Sequence, residues 1–220
     1  MYVWSRNLSN VTSQVTDSPG PFLFLANHQA LDLLNTALIQ EAVPAERLTD
    51  FGALVAWLEQ AGLVVPEDAK QARARWEGTP EGEATATRAR TLRELLRKSV
   101  QHMTSAGTLP SALLTKLNGA LREEIGVFAE LARTQAQTGF QRRMRLSLEA
   151  PGNVLAPLLR AVASLFVEVD FALVRKCEDP TCVLFFYDVS KNHARRWCSM
   201  EVCGNRHKVN AYRSRGTRGA

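Results

Sequence analysis

The residues with the clearest chemistry are four cysteines in two pairs. The pattern is Cys177-x4-Cys182 followed by Cys198-x4-Cys203, and residues 1–176 contain no cysteine. Structural zinc takes four tetrahedral ligands, and paired thiolates two to four residues apart reach one ion from tight loops. A disulfide-stabilised secreted domain would instead be dense in cysteine. The spacing therefore predicts one structural zinc ion, because four thiolates leave no coordination position for a catalytic water.

Alternatives to four thiolate ligands are few. Two disulfides would fit a reducing compartment poorly, and free buried thiols would not explain the symmetry of the two cysteine pairs. His193 and His207 lie close in sequence, and zinc sites with three cysteines and one histidine exist. Four evenly paired cysteines make a histidine ligand unnecessary.

The sequence around the cysteines predicts the shape of the module. Residues 183–187 are β-prone, residues 188–192 have turn chemistry, and 196–197 return toward Cys198, which together predict a hairpin. Residues 204–215 predict a helix whose N-terminus faces the metal. This order resembles a treble-clef or zinc-ribbon arrangement.

Positive charge is concentrated in the same segment. Residues 175–220 contain ten Lys or Arg and four Asp or Glu, a net of +6, whereas the whole chain carries +5. This asymmetry indicates a polyanionic partner, since Lys and Arg neutralise phosphates and Arg, Asn and Lys also pair with base edges. We therefore expect DNA binding. The predicted contacts are Lys191, Arg195, Arg196, Asn205, Arg206, Lys208, Arg213 and Arg215. Alternatively the module only caps the fold, with Arg206 hydrogen-bonded to carbonyls near the metal.

The elements that must carry this module are mostly helical. Apolar spacing and breakers predict helices from residue 31 to near Pro44 and over 51–61, 66–78, 80–104, 111–134 and 154–174. Residues 22–25 and 140–148 are predicted strands. The polar residues 1–20 are predicted to be a disordered leader. The fold class is thus α+β, with a mostly helical body and a C-terminal four-cysteine zinc finger.

A polar patch interrupts the first apolar helix. Asp32, Asn35 and Thr36 are near neighbours at helical spacing. They could line a pocket for a small-molecule effector. We favour the alternative of a buried network that caps a strand or a helix end, because buried polar groups are nearly always hydrogen-bonded. Asn27 and His28 form an N-cap region rather than a catalytic pair.

Several classes of protein are disfavoured by the sequence. The motifs of serine hydrolases, zinc proteases, phosphate-binding loops and dinucleotide folds are all missing, so we predict that the chain is not an enzyme. No apolar run approaches the roughly 20 residues that span a bilayer, and residues 1–22 lack the signal-peptide pattern. We expect a cytoplasmic, nucleoid-associated protein without a membrane partner.

The second cysteine pair lies in a string that resembles the CGNR zinc-finger family. The string is RRWCSM at 195–200, then CGNR at 203–206, followed by Lys208, Tyr212 and Arg213. Such proteins usually carry an N-terminal ABATE domain. LDLLNT at 31–36 is similar to the LDFxNT signature of that domain, with Leu33-Leu34 where an aromatic–aliphatic pair is common. Residues 154–157, VLAP, resemble the segment before the finger.

The resemblance implies a bacterial DNA-binding transcription regulator linked to the stress response. Residues 21–174 would be an ABATE-like domain that senses a small-molecule effector or assembles a homodimer. Residues 175–220 would be the zinc finger with a basic tail. The alternative that stays open is a protein-interaction or small-molecule-binding protein in which the zinc finger is purely structural.

Overall fold

The computed structural model describes residues 22–40, 43–122, 126–133 and 140–209. Helices predominate in these ranges, and six short strands form three two-stranded antiparallel sheets. The predicted α+β class with a mostly helical body is therefore confirmed. The predicted leader, residues 1–20, lies outside the described residues. In the described ranges no helix combines the length and the apolar character needed to cross a membrane.

The described part of the body contains six α-helices: α1 Gln29–Leu34, α2 Phe51–Gln60, α3 Pro66–Trp76, α4 Pro80–Ala106, α5 Ser111–Leu121 and α6 Ala156–Glu168. Their ends follow local chemistry. The Asp50 side chain accepts a hydrogen bond from Ala53 N–H and so caps α2, and Thr79 caps α4 in the same way. Gly62 and Gly78, with φ of +70° and +74°, follow α2 and α3 in the left-handed conformation that favours glycine.

The strands pair as neighbours in sequence. They are β1 Ala37–Gln40 with β2 Val43–Glu46, β3 Val127–Arg133 with β4 Phe140–Leu146, and β5 Val174–Lys176 with β6 Phe185–Tyr187. The register aligns Ala37 with Glu46 in the first sheet and Val174 with Tyr187 in the third. Short 3₁₀ turns, Pro151–Leu155 and Phe171–Leu173, flank α6.

Three predictions concern the N-terminal part of the body. The structure corrects two of them and confirms the third. The predicted strand at 22–25 is not a strand, because this segment lies beside the core without a ladder partner. The predicted helix from residue 31 stops at Leu34 and gives way to the β1–β2 hairpin. Arg93 of α4 explains this, since it hydrogen-bonds Thr36 at 2.9 Å and Glu46 at 2.7 Å and so fixes the hairpin on α4. The N-cap prediction holds, because the His28 ring accepts a hydrogen bond from Ala30 N–H.

Two longer predicted helices are also shortened. The helix predicted over 111–134 ends at Leu121, and its second half is β3, which pairs with the correctly predicted β4. Gly126 lies between the two elements with φ of +127°, which a helix cannot accommodate. The helix predicted over 154–174 spans only α6, and the chain then extends into β5.

One continuous hydrophobic core joins the body to the cysteine-bearing segment. Four residues of α1 are completely buried at its centre: Ala30, Leu31, Leu33 and Leu34. The core continues through α2, α4 and α6 and reaches Phe185, Phe186 and three of the cysteines. A buried Leu or Phe stabilises the fold by roughly 1.5–3 kcal/mol. The stability of the cysteine-bearing segment is therefore shared with that of the body.

Candidate metal centre

The first cysteine pair is held by a tight turn after β5. Cys182 N–H donates to the Asp179 carbonyl at 2.9 Å and closes the turn. The buried Asp179 carboxylate accepts hydrogen bonds from Thr181 N–H at 2.9 Å and from the Thr181 hydroxyl at 2.6 Å. Although burial raises the pKa of Asp179, these hydrogen bonds hold it below its usual value. The turn therefore contains an ionised carboxylate that fixes the spacing between Cys177 and Cys182.

The second pair lies on a wider helical turn. Ser199 begins it, and its hydroxyl accepts a hydrogen bond from Val202 N–H at 3.3 Å. A single π-helical turn, Met200–Gly204, then places Cys203 beside Cys198, and residues 205–209 continue as α-helix. The i→i+5 hydrogen bond of this turn, from Gly204 N–H to the Ser199 carbonyl at 3.0 Å, matches the five-residue step from Cys198 to Cys203. The predicted helix after Cys203 is present as far as the structure describes it.

The four sulfur atoms form one compact cluster. The Sγ atoms of Cys177, Cys182, Cys198 and Cys203 all lie within 4.8 Å of one another. Two separations are 3.8 Å, between Cys182 and Cys198, and 3.6 Å, between Cys198 and Cys203. A tetrahedron with 2.3 Å zinc–sulfur bonds has edges of about 3.8 Å. The arrangement thus has the size of a tetrahedral zinc–thiolate site, and the prediction of one structural zinc is confirmed.

The ionisation behaviour of the cysteine thiols also indicates that the cluster binds a cation. A hydrogen bond from Cys198 lowers the pKa of Cys182 to about 6, so one thiolate forms readily. The same bond, together with burial and neighbouring thiolates, raises the pKa of Cys198. Burial is the main reason that the pKa of Cys203 rises to about 12. Four thiolates can coexist here only around a metal ion that neutralises them.

Donors around the cluster compensate its remaining charge. Four thiolates and one Zn²⁺ sum to −2, and main-chain N–H groups offset such charge. Cys198 N–H donates to Cys177 Sγ at 3.4 Å, and Leu184 N–H hydrogen-bonds Cys182. The Arg195 guanidinium is close enough to Cys198 and Cys177 to interact electrostatically with both. These groups orient the thiolates and favour their ionised form.

Arg195 has a structural position that the sequence did not predict. Its Nε donates to the Trp197 carbonyl at 3.0 Å, and one terminal nitrogen donates to the carbonyls of Leu25, at 2.9 Å, and Cys198. The guanidinium also lies 4.2 Å from the centre of the Phe186 ring. Each of these contacts is within the protein. The arrangement argues against the predicted contact of Arg195 with DNA.

The other predicted nucleic-acid contacts lie either on the surface of the zinc module or outside the described residues. Lys191, Arg196, Asn205, Arg206 and Lys208 are exposed on the zinc module. Arg196 pairs with Glu178 at 2.6 Å. Arg206 donates to the Thr181 hydroxyl at 2.8 Å and lies 3.4 Å from Asp179, so it contacts side chains of the first turn rather than carbonyls. Arg213 and Arg215 lie outside the described residues.

Neither histidine joins the cluster in the described structure. His193 Nδ1 lies 3.1 Å from the Asp188 carbonyl, and the His207 ring packs 5.4 Å from Trp197.

The hairpin predicted between the two cysteine pairs differs in the structure, because β6 pairs with β5 instead of with residues 196–197. Residues 196–197 lie against the first cysteine turn, where Glu178 N–H donates to the Arg196 carbonyl at 3.0 Å.

The polar patch on α1 lies where the body meets the zinc module. The Asn35 side chain accepts from Phe185 N–H and donates to the Phe185 carbonyl, both at 2.9 Å. Asp32 accepts from Ala26 N–H at 2.9 Å. The Thr36 hydroxyl donates to the Leu33 carbonyl at 2.7 Å and accepts from Arg93. All three polar side chains are buried, and their contacts favour the structural interpretation over the effector pocket. The partner Phe185 could not be identified from spacing alone.

Two family models match this chain. Residues 27–169 match the ABATE family, described as "Putative stress-induced transcription regulator". Residues 174–216 match the family described as "CGNR zinc finger". Neither description names an enzymatic activity. No curated protein matches the chain. The two matches meet between α6 and β5, and they agree with the resemblance found in the sequence.

Proposed function

From the premise that this chain belongs to the ABATE family and carries a CGNR zinc finger, we propose that it is a bacterial DNA-binding transcription regulator. In this proposal residues 175–220 form the DNA-binding module and residues 21–174 the domain that senses a signal or mediates assembly. The protein would act in the cytoplasm at the nucleoid, and its response would be linked to stress.

The observation that carries the proposal is the cationic surface of the zinc module. The exposed side chains of Lys191 and Lys208 form no ion pair with any described residue. Arg196 and Arg206, with side chains 54% and 46% exposed, combine one acidic partner each with substantial access to solvent. Cationic groups that lack intramolecular partners favour binding to phosphates, since phosphate contacts supply most of the affinity for DNA.

The net charge of the module supports the same partner after the metal is counted. The ten basic and four acidic residues of 175–220 give +6. The zinc–thiolate centre contributes −2, which leaves +4. The centre is enclosed by Arg195 and main-chain N–H groups, so its negative charge is offset locally. The positive surface that remains suits a polyanion.

Binding to duplex DNA of mixed sequence, followed by fluorescence anisotropy over a salt series, tests the proposal. We expect affinity to fall steeply with salt because several counterions are released. Lys191→Gln combined with Lys208→Gln should reduce the slope of log K against log salt by about 2. Lys70→Gln, at an exposed position of α3 outside the zinc module, is the control and should leave the slope unchanged. Salt-independent binding, or equal slopes for all three proteins, would contradict DNA binding by this surface.

A second candidate function is protein interaction, with a zinc finger that is purely structural. The observation that favours it is the exposure of apolar side chains on the second cysteine turn, where Met200 is 52% and Val202 55% exposed. Contiguous exposed apolar surface marks sites of protein–protein contact. Under this alternative, Met200→Ser with Val202→Ser would abolish partner binding, whereas the double lysine variant would not.

A further inference from the structure

A cleft of about 440 Å³ opens at the junction of the body and the zinc module. One wall is the β1–β2 hairpin, the second is α4, and the third belongs to the zinc module. It is separate from Asp32, Asn35 and Thr36, whose side chains are internal. The residues that matter for its chemistry are Leu38, Pro44, Arg97, Lys176, Val183 and Phe185.

The acidic groups of the cleft are already neutralised. Both carboxylate oxygens of Glu46 accept hydrogen bonds from Arg93, at 2.7 Å and 2.5 Å, and one also accepts from Leu48 N–H. Glu94 accepts from Arg93 Nε at 3.2 Å and lies 3.4 Å from Arg97 Nε. Neither carboxylate has a free charge to offer a cationic ligand.

The cationic groups are less completely compensated. The Arg97 side chain is only 17% exposed, and one of its terminal nitrogens donates to the Leu34 carbonyl at 2.7 Å. Burial lowers the pKa of Arg97. The ion pair with Glu94, which also accepts a hydrogen bond from Arg93, offsets only part of this effect. The exposed Lys176 side chain has no ion pair or hydrogen bond with any described residue. Arg93, Arg97 and Lys176 together outnumber Glu46 and Glu94 by one charge, so an anion in the cleft would be attracted by Lys176 and would gain Arg97 as a second hydrogen-bond donor.

We propose that this cleft binds a small organic anion that joins a carboxylate to an apolar body. The carboxylate is held by Lys176 and Arg97. The apolar body packs against Leu38 and Pro44 on one side and Val183 and Phe185 on the other. The volume is within the range of pockets for small metabolites. The mixture of apolar walls and a few charged groups is typical of such pockets.

The position of the cleft gives the ligand a route to the zinc module. Arg97 holds the Leu34 carbonyl, the next residue, Asn35, holds the main chain of Phe185, and Phe185 lines the cleft. A ligand that contacts both Arg97 and the zinc module bridges the interface between the body and the zinc module, and it would stabilise that interface. Binding would then change DNA affinity, because the ligand contacts both the body and the zinc module. This regulatory part rests on the proposed DNA-binding function, whereas ligand binding does not.

Isothermal titration of the zinc-loaded full chain with phenylacetate and hexanoate tests the site, with phenylacetamide as the neutral probe. We expect both carboxylates to bind and phenylacetamide to bind at least about tenfold more weakly. Lys176→Gln should weaken phenylacetate by a similar factor, and Ala45→Trp, which fills the cleft, should abolish binding. Lys70→Gln is the control. The proposal is overturned if neither carboxylate binds at millimolar concentration, if phenylacetamide binds equally well, or if Lys176→Gln or Ala45→Trp has no effect. Melting temperatures confirm that each variant is folded.

Two measurements keep this proposal distinct from the proposed function. Titration with phenylacetate is done without DNA, and DNA affinity is measured without phenylacetate. Carboxylate binding without DNA binding would support the proposed ligand site in the cleft and overturn the proposed DNA-binding function. DNA binding without carboxylate binding would do the reverse. When both occur, phenylacetate should change DNA affinity in the wild type and not in Ala45→Trp, and an unchanged affinity would overturn the regulatory part.

Discussion

The Asn35 carboxamide forms two hydrogen bonds with the main chain of Phe185, one from its N–H and one to its carbonyl, each 2.9 Å long. Asn35 thus pairs with β6 as a neighbouring strand would. Two further bonds lie beside it, from Tyr187 N–H to the Ala26 carbonyl at 2.8 Å and from the Asn27 amide to the Tyr187 carbonyl at 2.9 Å. The joint between body and zinc module is therefore made of specific, mostly buried hydrogen bonds.

Asn35→Ala should loosen this joint. The substitution leaves the N–H and the carbonyl of Phe185 buried without a partner, so we expect a loss of about 2–4 kcal/mol in the free energy of unfolding. Denaturant unfolding measures the loss, and hydrogen exchange should show faster exchange at Phe185 and Tyr187. Asn118→Ala on exposed α5 is the control. Unchanged exchange at Phe185 would show that the bonds do not hold the joint.

The sequence predicts the parts of the fold that local chemistry controls. The ends of α2, α3 and α4 follow from Asp50, Pro66 and Gly107, and the metal site follows from cysteine spacing alone. Where prediction failed, contacts with another element decided the outcome. β1 and β2 depend on Arg93, some 50 residues away, and β3 depends on its pairing with β4. Periodicity cannot reveal such tertiary contacts.

The candidate site shows the same limit. Arg195 and its neighbour Arg196 are identical in type, yet the half-buried Arg195 donates to three main-chain carbonyls and Arg196 lies exposed on the surface. The basic charge count could not distinguish them. Asn35 was correctly singled out as a polar residue on an apolar helix, but its partner, 150 residues away, emerges only from the structure.

Asp32 should make stability depend on pH. Burial raises the pKa of this carboxyl from 3.8 to about 7, although hydrogen bonds from Ala26 and Leu25 and the charge of Arg195 oppose the rise. The folded state therefore binds more protons than the unfolded state between these two values. In that window the contribution of Asp32 to stability falls as pH rises, by up to about 1.4 kcal/mol per pH unit.

The comparison of wild type with Asp32→Asn isolates this effect. Asparagine cannot ionise but can accept the same hydrogen bond from Ala26 N–H. The free energy of unfolding of the zinc-loaded proteins should converge toward the acidic side of the window and favour Asp32→Asn at about pH 7. Parallel curves for the two proteins would mean that the carboxyl titrates at its ordinary pKa. The measurement stays above the pH at which the thiolates release zinc, which metal content verifies.

Zinc removal should destabilise the body as well as the zinc module. Three of the cysteines belong to the same core as α1 and Phe185, so loss of the metal disturbs packing beyond the turns that hold it. Chelation, or Cys198→Ser, should lower the melting temperature of the whole chain and open both segments to protease. Metal analysis should give one zinc per chain before chelation. A body that melts unchanged after complete zinc loss would contradict the shared core.

Arg195→Lys should separate the structural from the DNA-binding cations. Lysine keeps the charge but cannot hold the carbonyls of Leu25, Trp197 and Cys198 together, since only guanidinium presents a planar fork of donors. We expect a loss of about 2–3 kcal/mol in unfolding free energy and faster zinc transfer to a chelator. Affinity for DNA per folded, zinc-loaded molecule should stay unchanged.

Arg196→Lys is the matched control, because Arg196 makes one exposed ion pair and its replacement should change stability by less than about 1 kcal/mol. If Arg195→Lys instead retained full stability and lost affinity for DNA, Arg195 would be a DNA contact, and the internal role inferred from its three carbonyl partners would be wrong.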